Sequence, residues 1–183
     1  MNMEQNATQR NMWNSAGKAG LVLGLASAAC MFTAQIIGQR EISAMLGFLA
    51  NGALWLVKFV GCIWLMTFFM KKYASSHEGV SNAETMKFGM AVSLLSALVY
   101  SAFTLANVTL ISPDLFAQQM DQVMQTYAKS IDSNTLSQID KIMGMMPQIT
   151  FFSNLFYCSL YGVVLSFILS RNIPGRNPFE SNN

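Results

Sequence analysis

Acidic residues are missing from every long apolar run of this chain: its 183 residues include only 9 Asp and Glu, all in polar segments. Charge of either sign is scarce, at 11% of residues against about 25% in a typical soluble domain, which excludes an ordinary soluble fold. Paired membrane carboxylates able to hold a divalent metal are therefore lacking too. The single histidine, His77, stands in a polar loop beside Glu78 with no second ligand nearby in sequence, so no metal site is expected. Cys30, Cys62 and Cys158 are odd in number, lie in three different apolar runs and fit no zinc spacing, and read as small packing residues. No Ser-His-Asp set, phosphate-cradling glycine loop or HExxH run is present. The chain is expected to be no enzyme, to carry no cofactor and to bind no nucleic acid.

What is present is apolar length. Four runs, Ala19–Ile37, about Leu49–Met70, Phe88–Ile111 and Ile149–Leu169, each come close to the roughly 20 residues that cross about 30 Å of hydrocarbon. They are continuous rather than alternating, so helices are expected and barrel strands are not. The expected fold is an all-α membrane protein with four transmembrane helices. With a cytoplasmic N-terminus, the inner face carries Arg10, Lys18, Lys71, Lys72, Lys87, Arg171 and Arg176, and the outer face only Arg40, Lys129 and Lys141. This bias predicts a multi-pass protein of the bacterial inner membrane with both termini cytoplasmic. The run Leu25–Cys30 resembles a lipoprotein signal's cleavage site, but Ser27 stands where a larger aliphatic residue belongs and apolar residues continue beyond Cys30. An uncut first helix is expected.

Between the runs, composition predicts a loose cytoplasmic tail over 1–15, with Met12 and Trp13 as interfacial anchors. The transmembrane domain then spans 16–171, and 172–183 forms a second cytoplasmic tail. A short turn over Gly38–Glu41 makes the first two helices an antiparallel hairpin. The second helix starts near Ile42 and ends at Lys71-Lys72-Tyr73. Ser81 has Glu84 three residues later, the capping-box spacing that opens a helix. The segment 112–148 is the one sizeable extramembrane piece. Ser112-Pro113-Asp114 reads as a helix start, and Phe116, Met120, Val123, Tyr127 and Ile131 recur at helical steps. Leu136, Ile139, Met143 and Met146 follow in a second helix that Pro147 is expected to stop. The prediction is an extracytoplasmic amphipathic helical hairpin between the third and fourth crossings, capping the bundle. Docking of a partner or of the outer leaflet is the alternative.

Lys58 lies mid-run in the second crossing, where a charge costs roughly 2.5–3.5 kcal/mol on the insertion scale. Gly47, Asn51, Leu54, Lys58, Gly61 and Leu65 share its helix face. The third crossing has Gly89, Ser93, Ser96, Tyr100, Thr104 and Asn107 on one stripe, and the fourth has Asn154, Tyr157 and Tyr161. These polar faces are expected to converge, making Lys58, Asn51, Ser96, Tyr100, Asn154, Tyr157 and Tyr161 the candidate ligand-binding set. Tyr and Asn side chains can also satisfy the ammonium with no ligand at all. On the first helix Ala16, Gly20, Gly24 and Ala28 form a small-residue stripe suited to close helix contact, either internally or between two copies.

Two motifs add a resemblance. One is Gly79-Val80-Ser81-Asn82-Ala83-Glu84-Thr85-Met86-Lys87-Phe88-Gly89, a Gly-x-Ser turn leading into the third helix. The other is Ile111-Ser112-Pro113-Asp114-Leu115, a proline opening the external segment. Over about Trp13–Arg171 the chain resembles a family of small uncharacterised bacterial membrane proteins, common in Bacteroidota and catalogued as a domain of unknown function. The resemblance implies a four-helix inner-membrane protein with no known catalytic residues, in a family that often accompanies envelope glycosyltransferases. The leading expectation is a non-enzymatic accessory or scaffold subunit in cell-envelope assembly. Its partners would be the lipid bilayer and another envelope membrane protein, with homodimerisation through the small-residue stripe as a further option. The competing expectation is a small carrier or binding protein for an anionic lipid or metabolite, with Lys58 as the charge partner.

Overall fold

A computed structural model describes residues 2–40, 43–76, 80–127 and 133–173. Among them the chain forms five α-helices and no strand: α1 (Asn2–Gly38), α2 (Ala44–Ser76), α3 (Asn82–Ala106), α4 (Pro113–Tyr127) and α5 (Ser133–Asn172). A π-helical turn, Asn107–Ile111, prolongs α3. Four stretches are long and apolar enough to cross a membrane: Arg10–Gly38, Met45–Ser76, Asn82–Ile111 and Ile142–Asn172. This is a multi-pass membrane protein. Its outer surface agrees, since Phe48, Trp55, Val57 and Trp64 on α2 stand more than half exposed, a surface that acyl chains solvate and water does not.

Three boundaries differ from the sequence reading. The polar N-terminal segment is helical from Asn2 rather than loose. It contains no Gly or Pro before Gly17, so nothing interrupts the helix that the first crossing nucleates. Pro147 does not stop a helix but lies inside α5. Proline removes one backbone donor, yet apolar residues continue on both sides, and spanning helices tolerate such a loss where neighbours re-satisfy the freed carbonyl. The second amphipathic arm and the fourth crossing are thus one helix. How this arm meets α4 depends on residues 128–132, which lie outside the described residues, as does His77. Finally, α2 runs on past Lys71-Lys72-Tyr73 to Ser76.

The start of α3 follows its sequence signal. The Ser81 backbone N–H donates to Glu84 Oε2 at 3.0 Å, and the Glu84 N–H donates to Ser81 Oγ at 3.3 Å, completing the capping box.

α3 is the central helix, packed mainly on α5 and α1; α2 leans on α1, and its contact with α5 is slight. Small residues set these approaches. A Cβ at Gly20 would lie 3.0 Å from the Val92 carbonyl oxygen and 3.1 Å from the Ser96 nitrogen. Gly89 faces Ser166, and Gly162 faces Ser93, so glycines from both helices seat α5 on α3. Within that seam Ser93 Oγ donates to the Gly89 carbonyl at 2.8 Å and Ser166 Oγ to the Gly162 carbonyl at 2.6 Å, so each of these two hydroxyls is satisfied by its own helix. Ala16, Gly20, Gly24 and Ala28 are all buried and the stripe is turned toward α3 of the same chain, so pairing two copies through it would require α3 to move away. The buried cluster lies toward the end marked by Lys71, Lys72 and Arg171. There Tyr73 stacks on Phe88 at 4.1 Å between ring centroids, beside Met66, Met70 and Ile173.

Candidate functional site

Because α2 and α5 barely touch, a gap opens between them, floored by α3. Lys58 from α2 reaches into it. The residue lies 13 positions from Met45 and 13 from Lys71, about 20 Å of helix in either direction. Its ammonium sits over the Tyr100 ring, 4.3 Å from the centroid. Ser96 and Tyr100 of α3 and Tyr157 and Tyr161 of α5 line the same cavity of about 200 Å³. Five of the seven candidate ligand-binding residues therefore share one compartment.

The other two do not. Asn51 is two turns away along α2 and exposed, and Asn154 is half-buried; neither lines the cavity. Asn107 belongs to a separate polar cluster at the far end of α3. Helical periodicity puts Asn51 and Lys58 on one face, but the splay of α2 from α5 leaves only the level of Lys58 covered.

Sequence reasoning missed the aromatic collar. Trp55 and Phe59 stack at 5.4 Å and line the cavity, and Phe59 lies 5.8 Å from Tyr161. Their placement at three residues before and one after Lys58 is the signal that would have found them. Gly162 was missed as well. It has no Cβ to hold α5 away from Ser93, and it brings Tyr161 to the cavity.

Electrostatics give the cavity its character. No Asp or Glu stands within the α2, α5 or α1 spans, and Glu84 sits on the first turn of α3, 12 residues before Ser96. Among the described residues, the Lys58 ammonium forms no hydrogen bond or ion pair, and the ring face of Tyr100 is its chief stabilising contact. A desolvated cation over an aromatic face is worth about 2 kcal/mol. That offsets most of the roughly 2.5–3.5 kcal/mol cost of the charge but leaves its N–H donors unused. Across the gap, the Tyr161 hydroxyl is buried with no hydrogen-bond partner among the described residues, at a cost of about 1–3 kcal/mol.

The arrangement can hold an anion. Among the described residues no three His, Cys, Asp or Glu side chains cluster for a metal. A family model described as "Protein of unknown function (DUF4199)" matches residues 18–171 of the chain. No curated protein and no solved structure matches it.

Proposed function

We propose that this chain, which belongs to the DUF4199 family of proteins of unknown function, is a non-enzymatic integral membrane protein that binds the anionic head of an amphiphile on Lys58. The observation that carries this reading is the convergence of an unpaired ammonium and a partnerless Tyr161 hydroxyl on one cavity that opens between α2 and α5. Its size narrows the ligand. About 200 Å³ is less than the roughly 300 Å³ at which sites enclose a whole drug-sized molecule, so the cavity suits one phosphate or carboxylate. Tails then remain among the acyl chains against Trp55 and Tyr157, which is 72% exposed. Tyr100 and Tyr161 orient the head, and Lys58 supplies the charge that draws it in from the headgroup region.

A second reading rests on a different surface. Val123 of α4 and Ile142 and Met145 of α5 are exposed apolar side chains beyond or near the end of the spans. They favour an accessory or scaffold role in envelope assembly, with another membrane protein covering them. The basic residues at the opposite end support bacterial inner-membrane insertion with cytoplasmic termini.

Native mass spectrometry of the chain in mild detergent, after equilibration with phosphatidic acid or phosphatidylcholine, tests the binding reading. The expected result is selective retention of phosphatidic acid, lost in Lys58→Met and weakened in Tyr161→Phe, with the far-UV spectrum unchanged. Equal retention by wild type and Lys58→Met would overturn it, and copurification of a stoichiometric membrane protein lost on substituting Val123 and Met145 would favour the second reading.

A further inference from the structure

At the end of the bundle remote from Lys71 and Lys72, α3 ends in the π-turn Asn107–Ile111, and α4 leaves at Pro113. The turn is held by side chains. Asn107 Nδ2 donates to Gln35 Oε1 at 2.8 Å, and Gln35 Nε2 donates to Ser112 Oγ at 2.9 Å, so α1 is tied to both ends of the π-turn. The Ser112 N–H closes the wide turn on the Asn107 carbonyl at 2.8 Å. Here the turn widens α3 beneath a cavity of about 530 Å³, within the range of small-molecule sites.

The lining has an unusual chemistry. Gln35, Asn107 and Ser112 form the inner wall, and Gln118, Gln119 and Gln122 form the outer rim on one face of α4. None of the lining residues carries a charge, so an ionic ligand would find no counter-charge. Each amide offers both N–H donors and a carbonyl acceptor, the complement of hydroxyl groups, which also do both. Asn107 Oδ1 is buried and accepts no hydrogen bond from the described residues. The ring of Phe116 supplies an apolar face to the same space.

We propose that this cavity binds an uncharged, polyhydroxylated group of about hexose size, either the headgroup of a glycolipid or a free saccharide. A ligand hydroxyl donates to Asn107 Oδ1, the rim glutamines engage further hydroxyls in both directions, and C–H faces rest on Phe116. This site is separate from the Lys58 cavity and does not depend on its occupant.

The full chain should be prepared in phosphatidylcholine nanodiscs without glycoside detergents, whose sugar heads would compete for the site. Native mass spectrometry then compares retention of glucosyl diacylglycerol with that of the same diacylglycerol lacking sugar. About tenfold preference for the glucosyl form is expected. The double variant Gln119→Ala, Gln122→Ala removes exposed rim amides and leaves the melting temperature in place. It should lower the preference about five- to tenfold, the scale of one or two neutral hydrogen bonds. Competition by free glucose identifies a saccharide ligand, whereas indifference to glucose identifies a lipid-borne head. Equal retention of the two lipids, as expected of a cavity that holds only water, would overturn the proposal. So would a folded rim variant that keeps the full preference.

Discussion

Replacing Gly24 by Ala sets two effects of known size against each other. In a helix interior the change gains up to about 1 kcal/mol of propensity. At this position the new Cβ would lie 2.7 Å from Val99 Cβ, 2.8 Å from Val99 Cγ1 and 3.0 Å from the Ser96 carbonyl oxygen. Val99 is β-branched and held near one rotamer in a helix, and the carbonyl is backbone, so neither neighbour yields cheaply. The α1 helix must retreat from α3, and overpacking of this sort costs about 1–3 kcal/mol. Because the closest atoms belong to a stiff side chain and to backbone, the upper half of that range applies, and net destabilisation of about 1–2 kcal/mol is expected. Gly17→Ala is the internal control: it lies on the same helix, and its Cβ would meet nothing within 4 Å. It should be neutral or slightly stabilising. Both variants are compared by denaturant titration in matched micelles, followed by far-UV circular dichroism, with light scattering for the mass of the complex. If Gly24→Ala is as stable as Gly17→Ala, the close α1–α3 crossing is wrong. A lighter complex with unaltered unfolding would instead assign the stripe to an interface between copies.

Three further outcomes are expected. Ser81→Ala removes the capping box of α3 and should cost about 1 kcal/mol, read as faster hydrogen exchange of the first α3 amides. Phe88→Ala empties a site only 2% exposed and unstacks Tyr73, so a loss of about 3–5 kcal/mol is expected in the same titration, the largest of this set. Lys58→Met, measured without added lipid, should raise stability by roughly 1 kcal/mol, the part of the charge cost that Tyr100 leaves uncovered. A large loss in that variant would mean that the ammonium has structural partners beyond the ring of Tyr100.

The four crossings were legible because hydrocarbon solvation acts on each run separately: twenty apolar residues must be helical in a bilayer whatever surrounds them. The capping box at Ser81 was legible for a similar reason, since its bonds close within four residues. Pro147 misled because a stop signal read locally takes no account of the helix continuing on both sides. The π-turn at Asn107 was hidden because Gln35, on a different helix, clamps it. For the Lys58 cavity, periodicity grouped the right faces but could not separate Tyr161, which lines it, from Asn154, which does not.

By itself, then, the chain's sequence determined that it crosses a membrane four times as helices, where its small-residue stripe lies, and that a lone ammonium is carried mid-span. Those follow from interactions with the surrounding medium or with near neighbours in the chain. Only the tertiary structure decided that α3 is central and that α2 and α5 stand apart around Lys58. It alone joined Gln35 to Asn107 across 72 positions of sequence. Apolar stripes look alike to acyl chains and to other helices, so helix order is chosen by which glycines and serines meet at contact distance, and that is a property of pairs of helices rather than of any one run.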